Sequence, residues 1–219
     1  MKSMKIDIVS DVVCPWCYVG RQHLEMALSS MASQVQAEIH WRPFELAPNM
    51  PLDGLPYKEH LSAKFGSERA VEAAWERLTG LGKKININFQ FSKIPKAVNT
   101  ANLHSLLSLF PGEAKQDEMA LRFFKAHFED AKDLSDIEIV YQITKDLLSS
   151  KETLDQIWNE ETRIAEIRSE ISFYQQNGVQ GVPYYIFQNK YALSGAQPPE
   201  VFQEVMQTIL KEENEILKS

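Results

Sequence analysis

Two cysteines occur in the 219 residues, and they stand three positions apart in Cys14-Pro15-Trp16-Cys17. Two cysteines scattered at random over such a length would rarely meet this spacing, so the pair points to chemistry more than to packing. A cysteine sulfur attacks as its thiolate. At a helix start, a two-residue spacer brings both sulfurs within bonding reach. Cys14 can then attack a disulfide to give a mixed disulfide, which Cys17 resolves. Pro15 and Trp16 place no charge between the thiols, and Trp16 in such a loop reads as part of a substrate surface. A structural zinc site is the competing reading, and it needs four ligands. No second Cys-x-x-Cys exists, and His23, His40, His60, His104 and His127 form no closely spaced pair. No metal is expected.

The elements that would seat the pair can be read around it. Ile6-Asp7-Ile8-Val9-Ser10 is rich in β-branched residues and reads as a strand. Residues 15–31 carry Val19, Leu24, Ala27, Leu28 and Met31 at helical spacing. Pro15 suits the first turn, where its missing N–H would have no partner anyway. Residues 35–44 alternate, with Val35, Ala37, Ile39 and Trp41 on one side, and read as a second strand. Cys-x-x-Cys thus falls at the strand-to-helix turn of a βαβ unit. Turn-rich Pro48-Asn49-Met50-Pro51-Leu52-Asp53-Gly54 marks a boundary.

From there to residue 177 the period is helical. The spacing predicts helices over 68–81 with Ser67 as cap, 97–110 stopped by Pro111, and 113–128. A capping box, Ser135-Asp136-Ile137-Glu138, opens another to about residue 148. One long helix over 154–176 ends at Gly178. Tyr184-Tyr185-Ile186-Phe187 then reads as a strand, Asn189-Lys190 as a tight turn, and 191–194 as the paired strand. Pro198-Pro199 starts a last helix to about residue 210.

The fold class is therefore α/β, βαβ followed by a helical block and then ββα. Without the block, that order is the minimal thioredoxin topology. Residues 1–55 and 178–219 form a discontinuous thioredoxin-like domain, and residues 56–177 an inserted helical domain. In this topology the proline before the third strand, Pro183, is expected to be cis and to pack against the dithiol. The backbone of Val182 is then free to pair with an extended substrate.

A formal net charge of −7 with no basic cluster argues against nucleic-acid binding. No apolar run approaches the roughly 18–20 residues that span a bilayer, so no membrane partner is expected. No charged segment followed by an apolar run and a cleavage site precedes the first strand, which points to the cytoplasm.

The chain resembles the DsbA-like thioredoxin-fold family, more closely its FrnE-like branch. The resemblance rests on Ser10-Asp11-Val12-Val13-Cys14-Pro15-Trp16-Cys17-Tyr18-Val19-Gly20, Arg42-Pro43-Phe44-Glu45-Leu46, Gly181-Val182-Pro183-Tyr184-Tyr185-Ile186-Phe187 and Ser194-Gly195-Ala196-Gln197-Pro198-Pro199. It implies a thioredoxin domain interrupted by helices and disulfide exchange by Cys14 and Cys17, supported by Pro15, Trp16, Val182 and Pro183. The partner would be a protein or small molecule bearing a thiol or disulfide. Beyond the dithiol no cofactor is implied, with glutathione a candidate co-substrate. Asn99 and His104 resemble a family motif on an inserted helix facing the dithiol, which makes them candidates for the substrate groove; from the residues alone, His104 reads as a packing histidine. Glutathione-dependent isomerases and kappa-type transferases share this plan and are the alternative, although they typically carry serine at the first cysteine position.

Overall fold

The protein, here a computed structural model, is described over residues 1–158 and 160–216. Strand β1 (Lys2–Ser10) leads into helix α1 (Pro15–Ser30) and then strand β2 (Val35–Pro43). A short ribbon pairs β3 (Leu55–Pro56) with β4 (Lys96–Ala97), enclosing α2 (Tyr57–Phe65) and α3 (Glu68–Lys84). Helices α4 (Ala101–Leu107), α5 (Ala114–Phe128), α6 (Ile137–Thr144), α7 (Lys151–Trp158) and α8 (Glu161–Gln176) follow. The chain closes with β5 (Tyr184–Phe187), β6 (Tyr191–Ser194) and α9 (Pro199–Ile216).

The main sheet has the order β2-β1-β5-β6, β1 running parallel to β2 and antiparallel to β5. This is the βαβ–ββα thioredoxin arrangement, with helices α2 to α8 inserted between β2 and β5. β1 is the central strand, and its pleat splits its side chains between two covered faces. Ile6 and Ile8 enter the large core with Val19 and Leu24 of α1 and Phe202 and Met206 of α9. Val9 faces the other way, into a small cluster with Phe44 and Val179. Asp7, on that same face, is buried and paired with Arg42 at 2.6 Å, and Arg42 reaches Glu170 of α8 at 3.4 Å. Among the described residues no helix is long and apolar enough to cross a membrane.

Several boundaries move for physical reasons. The single helix expected over 154–176 is two: α7 buries Leu154, Ile157 and Trp158, and α8 restarts after Glu160. The helix expected over 97–110 is shortened to Ala101–Leu107. Lys96 and Ala97 are spent in the ribbon, and the Asn99 side chain turns the chain by accepting from Ala101 N–H at 3.0 Å. Asp136, not Ser135, caps α6 by accepting from Glu138 N–H at 2.9 Å, while Ser135 bonds Asp133. In the β5–β6 turn the left-handed residues are Gln188 and Asn189, one position earlier than expected. Ser67 does cap α3, accepting from Ala70 N–H at 3.2 Å.

Helix α1, which carries both thiols, is clamped to α5. The Tyr18 ring stacks on Phe124 at 5.2 Å, and its hydroxyl donates to Glu129 at 2.6 Å. One turn on, the buried Arg21 guanidinium meets Asp117 through two bonds of 3.1 and 2.7 Å. The same carboxylate accepts from the Trp41 indole at 2.9 Å, so β2 joins the clamp. Removing one partner of a pair this enclosed strands the other charge. Arg21→Met is expected to cost about 3 kcal/mol in urea unfolding, and a loss under 1 kcal/mol would show the clamp to be incidental.

Candidate active site

Cys14 occupies the N-cap of α1, at φ −93° and ψ 111°, with Pro15 opening the helix. Its carbonyl accepts from Cys17 N–H at 3.0 Å and Tyr18 N–H at 3.2 Å. The sulfur therefore stands at the turn whose leading N–H groups have no helical partner, where a negative charge is favoured. Both cysteines are free thiols. Cys14 is 4% exposed and Cys17 fully enclosed, so the first thiol faces a recess and not open solvent. Burial, reinforced by the neighbouring Cys14 sulfur, pushes the Cys17 thiol well above its ordinary range, against smaller opposing effects of Ser10 and Asp11. Cys17 thus rests as a neutral thiol.

Asp11, three residues before Cys14, is committed to structure. Its carboxylate accepts from Leu46 N–H at 2.7 Å and Val13 N–H at 3.4 Å, tying the turn after β1 to the loop after β2. His104 lies 3.7 Å from the same carboxylate, and its Nε2 sits 2.9 Å from the Phe44 carbonyl. The structure thus gives His104 packing partners beneath the turn and places it on a separate small cavity with Arg42 and Glu170. Asn99 donates to the Met50 carbonyl at 2.7 Å and starts α4. Neither lines the recess that holds Cys14.

The Val182–Pro183 bond is cis, and the Val182 carbonyl lies 3.9 Å from the Cys14 sulfur. Behind it, Tyr185 of β5 sends its hydroxyl toward α1 at Gly20. A Cβ at position 20 would stand 2.2 Å from that oxygen and 3.3 Å from Pro183 Cγ. The sequence shows no signal for this contact, because a glycine inside a helix normally reads as a weakness.

Beside Cys14, Pro15, Trp16 and Val182 opens a pocket of about 310 Å³. Its walls come from α2, α3 and α5. Tyr57 and Trp75 stack at 5.9 Å, as do Trp75 and Phe91, so part of the lining is a row of near-parallel rings. Arg77 lies over the Trp16 ring at 5.4 Å. Deep in the wall is His127, fully buried, edge-on to Tyr57 at 5.8 Å and to Phe128 at 4.7 Å. Burial pulls its pKa down to about 4, outweighing the attraction of Asp11 and Asp133. In the sequence His127 stands out only as one of five histidines that form no closely spaced pair.

The family model of the DSBA-like thioredoxin domain matches residues 5–207, so the chain belongs to the DsbA-like thioredoxin-fold family. A probable DsbA oxidoreductase of Streptomyces coelicolor is 27% identical, with a TM-score of 0.82 over 94% of this chain and 89% of that one. The cytosolic disulfide reductase DsbM of Pseudomonas aeruginosa, solved with GSH, shares the fold at 16% identity and a TM-score of 0.61, covering 94% of this chain and 99% of its own. Among curated proteins, YwbO of Bacillus subtilis (strain 168) is 21% identical over 93% of this chain and 96% of its own.

Two outcomes follow from this geometry. Gly20→Ala should destabilise by about 1–3 kcal/mol, since overpacking outweighs the roughly 1 kcal/mol of helix propensity gained. Adding Tyr185→Phe should restore part of that loss in thermal melts, and no restoration would remove the hydroxyl contact as its cause. The second outcome concerns pH. An unfolded histidine binds a proton below its ordinary 6.5, whereas folded His127 does so only near 4. Stability is therefore lost as pH falls through that window, by about 3 kcal/mol in all. His127→Phe should flatten the pH dependence of urea unfolding by that amount, and an unchanged slope would contradict it.

Proposed function

We propose that this protein is a thiol–disulfide oxidoreductase with Cys14 as nucleophile and Cys17 as resolving thiol. The observation that carries this reading is the seat of the Cys14 sulfur, at an unpaired helix start, 3.9 Å from the carbonyl before a cis-proline and beside an enclosed second thiol. The Cys14 thiolate attacks one sulfur of a substrate disulfide; the S–S bond breaks, a Cys14–substrate disulfide forms, and a substrate thiolate departs. Cys17 then attacks the Cys14 sulfur, its proton passing to the second departing thiolate. The substrate gains two electrons, and the protein is left with a Cys14–Cys17 disulfide. Two molecules of a small thiol return it to the dithiol and leave as their own disulfide.

Val182 supplies the backbone that an extended substrate would pair with, and Trp16 the apolar contact beside it. Raising the Cys17 pKa by burial fits a resolving thiol, which must stay silent until the mixed disulfide forms. The reductive direction, glutathione as the small thiol and a cytoplasmic site of action take support from the cytosolic reductase neighbour solved with GSH. The substrate is a protein or small molecule bearing a disulfide.

Purified protein should accelerate the reduction of insulin by dithiothreitol, and Cys14→Ser should return the rate to the uncatalysed one. Equal activity of the two would overturn the reading. Cys17→Ala should accumulate mixed disulfides at Cys14, separable by diagonal electrophoresis. Glutathione-dependent activity that survives Cys17→Ser would mark an isomerase or transferase instead.

A further inference from the structure

His127 is a polar group that neither the fold nor the exchange chemistry uses. Neither its Nδ1 nor its Nε2 has a hydrogen-bond partner, although the ring is fully enclosed. Each buried orphan of this kind costs on the order of 1–3 kcal/mol. A phenylalanine would fill the same space among Tyr57 and Phe128 without that cost. The penalty is explained if something entering the pocket completes the bonds. Because His127 is neutral, it offers one N–H and one lone pair, and a hydroxyl group can satisfy either one. A charged group is disfavoured there, since the surroundings are aromatic and ions are costly in such walls.

The rest of the pocket restricts the ligand further. Tyr57, Trp75 and Phe91 form a row whose neighbouring planes lie within 8° of parallel, an aromatic wall against which a further ring can pack edge-on or offset. The volume of about 310 Å³ lies at the lower end of the range for small-molecule sites. Cys14 lines the same pocket, so a molecule lying in it can present an atom to the sulfur.

We infer that this pocket binds a small aromatic molecule that carries an uncharged hydroxyl toward His127 and sulfur toward Cys14. The hydroxyl end rests on His127 and the aromatic wall alone. The sulfur end rests on the reading of Cys14 as nucleophile and gives that reading its substrate class, an aryl or similarly flat disulfide. His127 is then a specificity-determining residue that selects the hydroxyl, and the bulk of the binding comes from the rings.

Two inert thioethers of the same shape test this without any redox step: 4,4′-thiodiphenol and diphenyl sulfide, titrated against the quenching of tryptophan fluorescence, since Trp16 and Trp75 line the pocket. The wild-type protein should bind the phenol at least tenfold more tightly. His127→Phe should bring the two affinities to within twofold, and His127→Gln, which keeps a donor and an acceptor, should retain part of the preference. The imidazole ¹⁵N resonances of His127 should shift with thiodiphenol and stay in place with diphenyl sulfide, a readout that needs no variant to fold. Leu61→Trp, which adds bulk to the lining, should weaken both probes at least tenfold. Equal binding by the wild type, a preference that survives His127→Phe, or no binding of either probe overturns the inference and leaves His127 as a packing residue satisfied by water. The redox reading fails separately: if thiodiphenol binds as expected but bis(4-hydroxyphenyl) disulfide is not reduced in a Cys14-dependent way with glutathione, the pocket stands and the nucleophile does not.

Discussion

The first turn of an α-helix has N–H groups that its own ladder cannot pair, and Cys14 is seated at that turn of α1. Much of the fold around the site holds that seat in place. β1, covered on both faces, delivers the chain to Ser10. The Asp11 carboxylate then fastens the turn by accepting from Val13 and Leu46. From the other side, Gly20 admits the Tyr185 hydroxyl, which lets β5 and its cis-proline approach the helix that carries the thiols. A nearby carboxylate would oppose a thiolate if its charge were free. Here it is bound to backbone donors and shapes the turn that carries Cys14.

The inserted helices are structural partners of this seat and the source of its second wall. Tyr18 starts an aromatic chain that passes through Phe124 and Phe128 to Phe89, Phe91, Trp75 and Tyr57. The ring stack that pins α1 is thus continuous with the lining of the pocket beside Cys14. Packing and site share the same residues, and a change made at one end is felt at the other. The buried Arg21–Asp117–Trp41 cluster adds direction to that packing, since a guanidinium–carboxylate fork accepts few orientations.

Some of this was legible in advance. The dithiol, the opening βαβ, the closing hairpin and the proline before β5 all stand in short stretches whose period or spacing is local. Ser67 as a cap was legible for the same reason. The structure departs from the local pattern where two local signals compete. Ser135 and Asp136 are both good caps, and Ser135 was claimed by Asp133. Residues 154–176 keep a helical period throughout, yet the burial of Trp158 and the restart at Glu160 divide them. Ala97 reads as the start of a helix, yet with Lys96 it pairs to Leu55 and Pro56, some forty residues away. No period in the sequence announces such a ribbon.

The sequence by itself determined the cysteine pair, its place at a strand-to-helix turn and the topology around it, because those depend on neighbours within a few residues. Tertiary structure decided what surrounds the pair. Asn99 and His104 were drawn by resemblance toward the dithiol, and the fold instead gives them backbone carbonyls to bond at Met50 and Phe44. His127 carried no local signal, since a histidine among phenylalanines on a helix face is an ordinary pattern. Its two unpaired nitrogens and its place in the wall of the pocket that Cys14 also lines exist only once α2, α3 and α5 close around it. Burial and hydrogen-bond satisfaction are properties of the assembled interior, and a chain read in order cannot display them.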